Sequence, residues 1–200
     1  MHDGVTYKKA DAVERIVARK YVQSRYKEVG YISSNDTSEI YTDSYVDCSE
    51  YFVGLERSGV VGVLRLVMNT EKSLPVVNVF EFSPQFRDLF SSLSSGCVVE
   101  VGNLVAAPGR GIAMHLYAAA LSYSFRMRYK YWFAAIDSGY YKKVLERYSF
   151  IKLIQVGEPK EYIGSVSVPV MIKLNWIVRF IFLLYYVKRK FLFAPKFLLD

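Results

Sequence analysis

The sequence VVEVGNLVAAPGRGIA, from Val98 to Ala113, contains the clearest structural pattern of the chain. Its pattern predicts a short apolar strand carrying Glu100, a turn containing Gly109 and Gly111, and an apolar helix from Ile112 to about Met127. Free backbone N–H groups and the positive end of a helix dipole meet at such a turn. The sequence therefore predicts an anion-binding site with a strand carboxylate beside it.

Outward from this stretch, hydrophobic periodicity predicts the remaining elements. Before this stretch the predicted elements are a helix from Asp11 to Glu28, a polar loop from Tyr31 to Asp47, a hairpin of Tyr51 to Leu55 with Val60 to Met68, a strand or bend at Val76 to Phe82, and helical turns at Gln85 to Leu93. After it they are a strand at Tyr131 to Ile136, a helix at Gly139 to Tyr148, and an antiparallel pair of Ile151 to Val156 with Val166 to Leu174. Within the first helix, the residues close to helical spacing are Val13, Ile16, Val17, Lys20, Tyr21 and Ser24. The Tyr131 strand follows a helix, so it should lie parallel to the Val98 strand. This order predicts a mixed α/β fold, with a twisted mixed β-sheet flanked by helices.

Composition narrows the class of protein. The chain has 200 residues and is 52% hydrophobic, which is enough for one domain with a sizeable core. Its two cysteines, Cys48 and Cys97, provide neither a disulfide framework nor a metal-ligand spacing. The N-terminal MHDGVTYKKA lacks the apolar run of a signal peptide. We therefore expect a cytoplasmic protein without a bound metal, with a domain over residues 1–175 and a separate tail over residues 176–200.

The net charge of +7 is unevenly distributed. The segment from Asp36 to Glu56 contains six acidic and no basic residues. The segment from Ala106 to Lys152 contains eight basic residues against two acidic ones, Asp137 and Glu146. This basic half is either a solvated face or a docking surface for an acidic partner. No nucleic-acid recognition motif accompanies it, so nucleic acid is not expected as a partner.

The tail from Trp176 to Asp200 differs from the rest of the chain. Its WIVRFIFLLYYV run is followed by Lys188, Arg189 and Lys190. A spanning helix needs about 20 predominantly apolar residues, and this run is shorter. Two interpretations stay open: a hydrophobic helix docked on the domain or at a dimer interface, or a peripheral anchor on the inner face of the membrane through Trp176 to Phe193.

Five stretches share an order and spacing that point to a known family. They are DSYVDCSEYFVG (residues 43–54), GVVGVLRLV (59–67), SLPVVNVF (73–80), EVGNLVA (100–106) and ERYSF (146–150). Over about Asp11 to Asn175, this pattern resembles the GNAT acyltransferase superfamily. Within that superfamily it is most similar to the branch of acyl-homoserine-lactone synthases and long-chain N-acyl amino acid synthases.

Three positions depart from the patterns of that superfamily. Ala106 stands where its phosphate loop often has Gln or Arg, so the grip on phosphate would rest on backbone amides. Leu145 stands where many acetyltransferases have a tyrosine acid. Asn103 stands where homoserine-lactone synthases have an arginine. The departure at Asn103 argues against a homoserine-lactone product and favours an amino acid or another amine as the acceptor.

The resemblance implies an N-acyltransferase that moves a long-chain acyl group from a phosphopantetheine thioester to an amine. Buried in so apolar a strand, Glu100 would have a raised pKa and serve as the base, or else it is an edge residue paired with Arg65. Asn103 would orient a substrate or only fix a β-bulge, and the Leu104 and Val105 amides would hold the oxyanion. The residues expected to hold the donor are Ala107, Gly109, Arg110, Gly111, Ile112 and Ala113, unless the glycines serve geometry alone. The residues expected to bind the acceptor are Asp43, Asp47 and Arg65, unless the acidic loop is only solvated.

The donor and partners follow from the same resemblance. Acyl-carrier protein or acyl-CoA would supply the acyl group, and no permanently bound cofactor is expected. Acyl carrier protein is acidic, so it would dock on Arg126, Arg128, Lys130, Lys142 and Lys143. Three alternatives stay open: an inactive GNAT-fold module that binds an acyl carrier or a membrane, an acyl-homoserine-lactone-type synthase, and a membrane-active protein driven by the tail.

Overall fold

A computed structural model describes residues 4–70, 73–108, 111–147, 152–175, 178 and 180. The strands are β1 (Thr6–Lys9), β2 (Ser49–Glu56), β3 (Gly59–Met68), β4 (Val98–Ala106), β5 (Tyr131–Asp137), β6 (Ile154–Gln155), β7 (Lys160–Tyr162) and β8 (Ser165–Lys173). The helices are α1 (Ala12–Glu28), α2 (Pro75–Val79), α3 (Pro84–Ser92), α4 (Ile112–Arg126) and α5 (Ser138–Arg147). The predicted mixed α/β fold is confirmed.

One sheet holds all of these strands, in the order β1-β2-β3-β4-β5-β8-β6, with β7 also paired to β8. Neighbouring strands are antiparallel except for β4 and β5, which are parallel and joined by α4, as predicted. This parallel pair is short, because only Val98–Glu100 pairs with Tyr131–Phe133. Beyond Glu100 no pairing joins the two strands, and the sheet opens there.

Helices cover both faces of the sheet. On one face α4 packs over an apolar cluster that includes Leu64, Leu66, Val99 and Trp132. On the other face α1 packs over Val53 and Val63, while α2 and α3 pack against a neighbouring cluster. Both layers meet β4, so residues of this strand can contact either side of the sheet.

Gly62 on β3 sets how closely α4 approaches. A side chain at this position would place its Cβ 2.5 Å from Ile112 Cγ2 and 3.0 Å from Leu116 Cδ1. Both of these side chains are fully buried. The glycine therefore allows the first turn of α4 to lie directly on the sheet, beside the opening between β4 and β5.

One local expectation was wrong, and strands β1 and β7 were not expected. Residues 76–82 were expected as a strand or bend, but the structure has helix α2 over Pro75–Val79. Pro75 occupies the first helical position, where its missing N–H is no loss, and the Val76 N–H donates to the carboxylate of Glu100 on β4. The sequence also gave no sign of β1, a four-residue strand of mostly exposed, charged residues.

Helix α1 begins where the sequence predicts, but it buries a different face. Asp11 caps it, and Asp11 and Glu14 form a reciprocal capping box. The buried positions are Ala18, Val22, Gln23 and Tyr26. The stripe of Val13, Ile16 and Val17 faces solvent instead.

The C-terminal tail lies almost wholly outside the described residues, and so do Gly109 and Arg110. The two interpretations of Trp176 to Phe193 therefore stay predictions. Within the described part of the chain, no helix combines the length and apolar character needed to cross a membrane.

Candidate active site

A cavity of about 490 Å³ occupies the opening between β4 and β5. On the α1 side its walls include Tyr26, Arg65 and Glu100, and on the α4 side they include Tyr117 and Trp132. The cavity therefore reaches both faces of the sheet through the gap. A thin, extended group lying in the gap would contact both sides at once.

Glu100 lies at the inner end of this gap, at the last paired position of β4. Its side chain is buried, and its Oε2 accepts the Val76 N–H at 2.8 Å. Burial raises the pKa of Glu100 to about 8, although the Val76 hydrogen bond acts in the opposite direction. The carboxyl group can therefore gain and lose a proton near neutral pH.

Arg65 does not pair with Glu100. It forms a bidentate ion pair with Asp43, with N–O distances of 2.6 and 2.8 Å. Its Nε donates to Ser49 Oγ at 2.7 Å, and its Nη1 also donates to Asn103 Oδ1 at 3.1 Å. Four of the five guanidinium N–H groups are thereby used.

Asp43 and Arg65 each keep the other in its charged form. Burial acts to raise its pKa, but the Arg65 hydrogen bonds and charge hold the pKa of Asp43 below its usual value. Burial likewise acts to lower the pKa of Arg65, and the hydrogen bonds to Asp43 raise it overall. Both groups therefore stay charged, and each balances the other.

Asn103 forms a β-bulge in β4. Its φ of 45° is in the left-handed region, and the register between β3 and β4 shifts at this point. Its side chain accepts from Arg65 and donates to the Tyr26 hydroxyl at 2.9 Å. Asn103 therefore lies in a β-bulge, as one of the two interpretations expected. Its side chain also connects Arg65 to Tyr26 of α1.

The bulge determines which β4 amides point into the gap. The Ala107 N–H donates to the Val61 carbonyl oxygen of β3, at 2.9 Å. Because amide directions alternate along a strand, the Val105 N–H also points to β3, whereas the Leu104 N–H points towards β5. Of the two amides predicted for an oxyanion, Leu104 has the suitable direction and Val105 does not.

The predicted anion turn is described only in part. Gly111 adopts a left-handed conformation, with φ of 65°, as the residue before α4. Ile112 is buried against Gly62, while Ala113 lines the cavity. The N-terminus of α4 therefore opens beside the gap.

The acidic loop contributes one of its two predicted residues. Asp43 lines the cavity, whereas Asp47 is exposed and lies outside its lining. Asp47 belongs to a short 3-10 turn at Val46–Cys48 that leads into β2. The side chains of a single loop point in different directions, which the sequence could not reveal.

The five basic residues predicted to dock a carrier do not form one surface. Arg126, Arg128 and Lys130 are exposed at the end of α4, before β5 begins. The 15 residues of α4 place that end about 21 Å from its N-terminus. Lys142 and Lys143 are exposed on α5, which starts at the cavity end of β5.

Several cavity residues carried no signal in the sequence. Tyr26, Tyr41 and Tyr162 line the α1 side together with Asp43 and Glu100. Burial raises the pKa of Tyr26 to about 12, and it raises that of Tyr162, which is also close enough to feel the Glu100 charge. These tyrosines come from a helix, a loop and β7, so only the tertiary fold brings them together.

By sequence, no family model and no curated protein matches the chain. Solved structures do match it. An N-acyl amino acid synthase from uncultured soil microbes is 16% identical with a TM-score of 0.64, over 85% of this chain and 91% of that one. A CoA-dependent acyl-homoserine lactone synthase, solved with SAM and isopentyl-CoA, is 17% identical with a TM-score of 0.68, over 90% of this chain and 88% of that one.

A third match is named for the transfer of an acetyl group. A putative N-acetyltransferase from Lactobacillus plantarum is 15% identical with a TM-score of 0.58, over 86% of this chain and all of its own length (100%). Together with the parallel β4–β5 pair that opens at its end, these likenesses confirm the expected resemblance at the level of the fold. The chain therefore has the GNAT fold, in the form seen in N-acyl amino acid synthases and acyl-homoserine lactone synthases.

Proposed function

We propose that this protein is an N-acyltransferase, moving an acyl group from a phosphopantetheine thioester to the amino group of an amino acid or similar amine. The observation that carries the proposal is the buried Glu100 at the inner end of the gap between β4 and β5. A carboxyl group in this position, with a pKa of about 8, suits the removal of a proton from an attacking ammonium. The fold shared with N-acyl amino acid and homoserine lactone synthases supports the same reaction class.

The donor occupies the gap in this proposal. Its phosphate groups lie at the N-terminus of α4, at the amides of Gly111 to Ala113, where the helix dipole favours negative charge. Its arm runs between β4 and β5 in place of the missing strand pairing. The thioester then reaches Leu104, whose N–H points towards β5.

The acceptor occupies the α1 side of the cavity, next to Glu100. Glu100 takes a proton from the ammonium, and the free amine attacks the thioester carbonyl carbon to form the C–N bond. The Leu104 N–H stabilises the negative oxygen of the tetrahedral intermediate. The C–S bond then breaks, and the attacking nitrogen gives its second proton to the departing thiolate, so that the products are the amide and the free thiol. Glu100 afterwards releases the first proton to solvent.

Asp43 and Arg65 act as positioning residues in this scheme and do not bind the acceptor directly. Each uses its charge on the other, so neither is available for an ammonium or a carboxylate. Through Asn103 the pair fixes the bulge in β4 and so the direction of the Leu104 amide. The earlier expectation that Asp43 and Asp47 receive the ammonium is therefore replaced by Glu100 and the surrounding tyrosines.

Carrier protein and CoA remain two forms of the donor. If the donor is an acidic carrier, Lys142 and Lys143 are the predicted cations near enough to the gap to receive it. Replacing both with Gln then lowers kcat/KM for acyl-carrier thioesters and leaves that for acyl-CoA unchanged. Equal values for both donors would count against carrier docking at α5.

The proposal is tested by mixing the pure protein with long-chain acyl-carrier and acyl-CoA thioesters and a pool of amino acids and amines. Release of free thiol, together with an N-acyl product identified by mass spectrometry, is the expected result. Glu100→Gln is the matched control, because Gln keeps the shape and can still accept the Val76 N–H. Absence of thiol release from every donor would contradict the proposal and favour an inactive binding module.

A further inference from the structure

Helix α1 exposes an apolar stripe that nothing in the described residues covers. Val13 is 71% exposed, Ile16 is 49% exposed and Val17 is 44% exposed. These positions are three and four residues apart, so they form one continuous face in the first half of the helix. An apolar face with this regular spacing is usually turned towards a core, and its exposure marks an interaction surface.

A chain of contacts connects this end of α1 to the end of α4. The Arg15 guanidinium pairs with Glu50, which also pairs with Lys9 at 2.8 Å. The Lys9 ammonium lies 5.4 Å from the centre of the Tyr123 ring. On the same ring lies the Arg126 guanidinium, also at 5.4 Å. The apolar stripe and the cations that follow α4 therefore belong to one end of the molecule.

This end carries a net positive charge. Two of its carboxylates are paired with cations, Glu50 with Lys9 and Arg15, and Glu14 with Lys8 at 2.7 Å, while Asp11 caps α1. Three exposed cations and an exposed apolar residue lie at the C-terminal end of α4 and directly after it, in the order Arg126, Met127, Arg128 and Lys130. The surface therefore contains the apolar stripe of α1 together with Arg126, Arg128 and Lys130, and no carboxylate among the described residues pairs with these three cations.

We propose that this end of the protein docks on an anionic lipid bilayer. Cations attract the headgroups, while Val13, Ile16, Val17 and Met127 enter the boundary between headgroups and acyl chains. A second copy of the chain would place like charges against each other, whereas an anionic bilayer complements them.

The position of the surface agrees with a bilayer as the occupant. The chain leaves β8 at this end, because Lys173 pairs with Tyr131 at the start of β5. The sequence that follows is apolar and then basic. The N-terminus of α4 and the gap lie at the opposite end of α4, so docking leaves the entrance of the cavity open.

Vesicle flotation of the full chain tests the proposal. Vesicles of phosphatidylcholine with phosphatidylglycerol are compared with vesicles of phosphatidylcholine alone, at low and high salt. We expect binding to the anionic vesicles only, weakened by salt. Arg126→Gln with Arg128→Gln should lower the partition coefficient about 25-fold, at about fivefold for each cation.

The apolar stripe is tested separately. Val13→Ser, Ile16→Ser and Val17→Ser together should lower vesicle binding about tenfold, because less apolar surface enters the bilayer. The matched controls are Val166→Ser, whose side chain is 52% exposed on β8, and Lys142→Gln with Lys143→Gln on α5. Thermal melts of all variants confirm that these exposed substitutions leave the fold intact.

Three results would overturn the proposal. The first is equal binding to anionic and neutral vesicles. The second is a loss of binding by the α5 control that matches the loss by the Arg126 and Arg128 variant. The third is a triple α1 variant that binds vesicles normally but loses a dimer in size-exclusion chromatography, which would make the stripe an interface between two copies.

Discussion

Replacing Asp43 with Asn should destabilise the protein by leaving a buried cation without its counter-charge. The Arg65 side chain is 3% exposed and that of Asp43 is 26% exposed. Removing one partner of a fully buried pair costs about 3–5 kcal/mol. Because Asp43 is partly exposed and Asn keeps one acceptor oxygen, we expect about 2–3 kcal/mol here. For a chain of this size, that corresponds to a fall in Tm of roughly 4–12 °C.

The destabilisation should depend on pH with a defined sign. The folded-state pKa of Asp43 is below its usual value, so the ionised carboxylate stabilises the fold. That contribution is complete above the unfolded-state pKa of about 4 and disappears as the pH falls through the lower folded-state value. The Tm difference between wild type and Asp43→Asn should therefore be constant from about pH 5 to 8 and shrink in stronger acid.

Differential scanning calorimetry at several pH values measures this difference. Asp47→Asn is the matched control from the same loop, and its Tm should stay near the wild-type value because Asp47 is exposed. Adding Arg65→Met to Asp43→Asn should recover part of the loss, since the unpaired buried charge is then gone. An Asp43→Asn variant that melts together with the Asp47→Asn control would refute the proposed role of the pair.

Three further changes give contrasting outcomes. Gly62→Val should lower Tm strongly and weaken donor binding, because its side chain would displace Ile112 and the start of α4; a titration calorimeter measures the second effect. Trp132→Phe should lose about 1–2 kcal/mol of unfolding free energy in urea titrations, because the Nε1–H bond to Ser124 Oγ (2.9 Å) is lost and the buried hydroxyl keeps no partner there. Glu100→Gln should have a higher Tm than the wild type above about pH 8. The pKa of Glu100 is raised to about 8 in the folded state, so the wild type loses stability as the pH rises from the unfolded-state pKa to this value, and the variant does not. An unchanged Tm in any of the three would contradict the corresponding contact.

The crossover unit could be predicted because its signals are local. The β4 strand, the glycine turn and α4 follow one another along the chain, and the apolar runs fix their type and length. The parallel pairing with β5 then follows from the intervening helix. The same local signals place Glu100 in β4, a few residues before the turn.

The rest of the site depends on contacts that no local pattern encodes. Asn103 and Tyr26 form a hydrogen bond although they are 77 positions apart. Val76 to Phe82 contains the β-branched residues typical of strands, yet its first part folds as helix α2, which ends at Val79 and whose Val76 N–H donates to the Glu100 carboxylate of β4. Helix α1 shows the limit of periodicity, because Val13, Ile16 and Val17 form a regular stripe that the fold turns outwards.

Glu100 affects both the stability of the fold and the proposed chemistry. A buried carboxyl group with a raised pKa lowers the stability of the fold at neutral and alkaline pH, and a glutamine would fill the same position without that penalty. The Arg65 network, the bulge at Asn103 and the opening of the sheet all lie around it. This arrangement is expected where a carboxylate is needed for proton transfer.

The role of Glu100 as the base is tested by the turnover of Glu100→Gln with an acyl thioester and an amine that the wild type accepts. We expect a loss of about 10²–10⁴-fold in kcat, with unchanged donor affinity and a fold at least as stable as the wild type. We also expect wild-type kcat/KM to rise with pH through a value near 8, the pKa of Glu100, and the variant to lack this rise. A variant that turns over at the wild-type rate, with the same pH profile, would contradict the central claim.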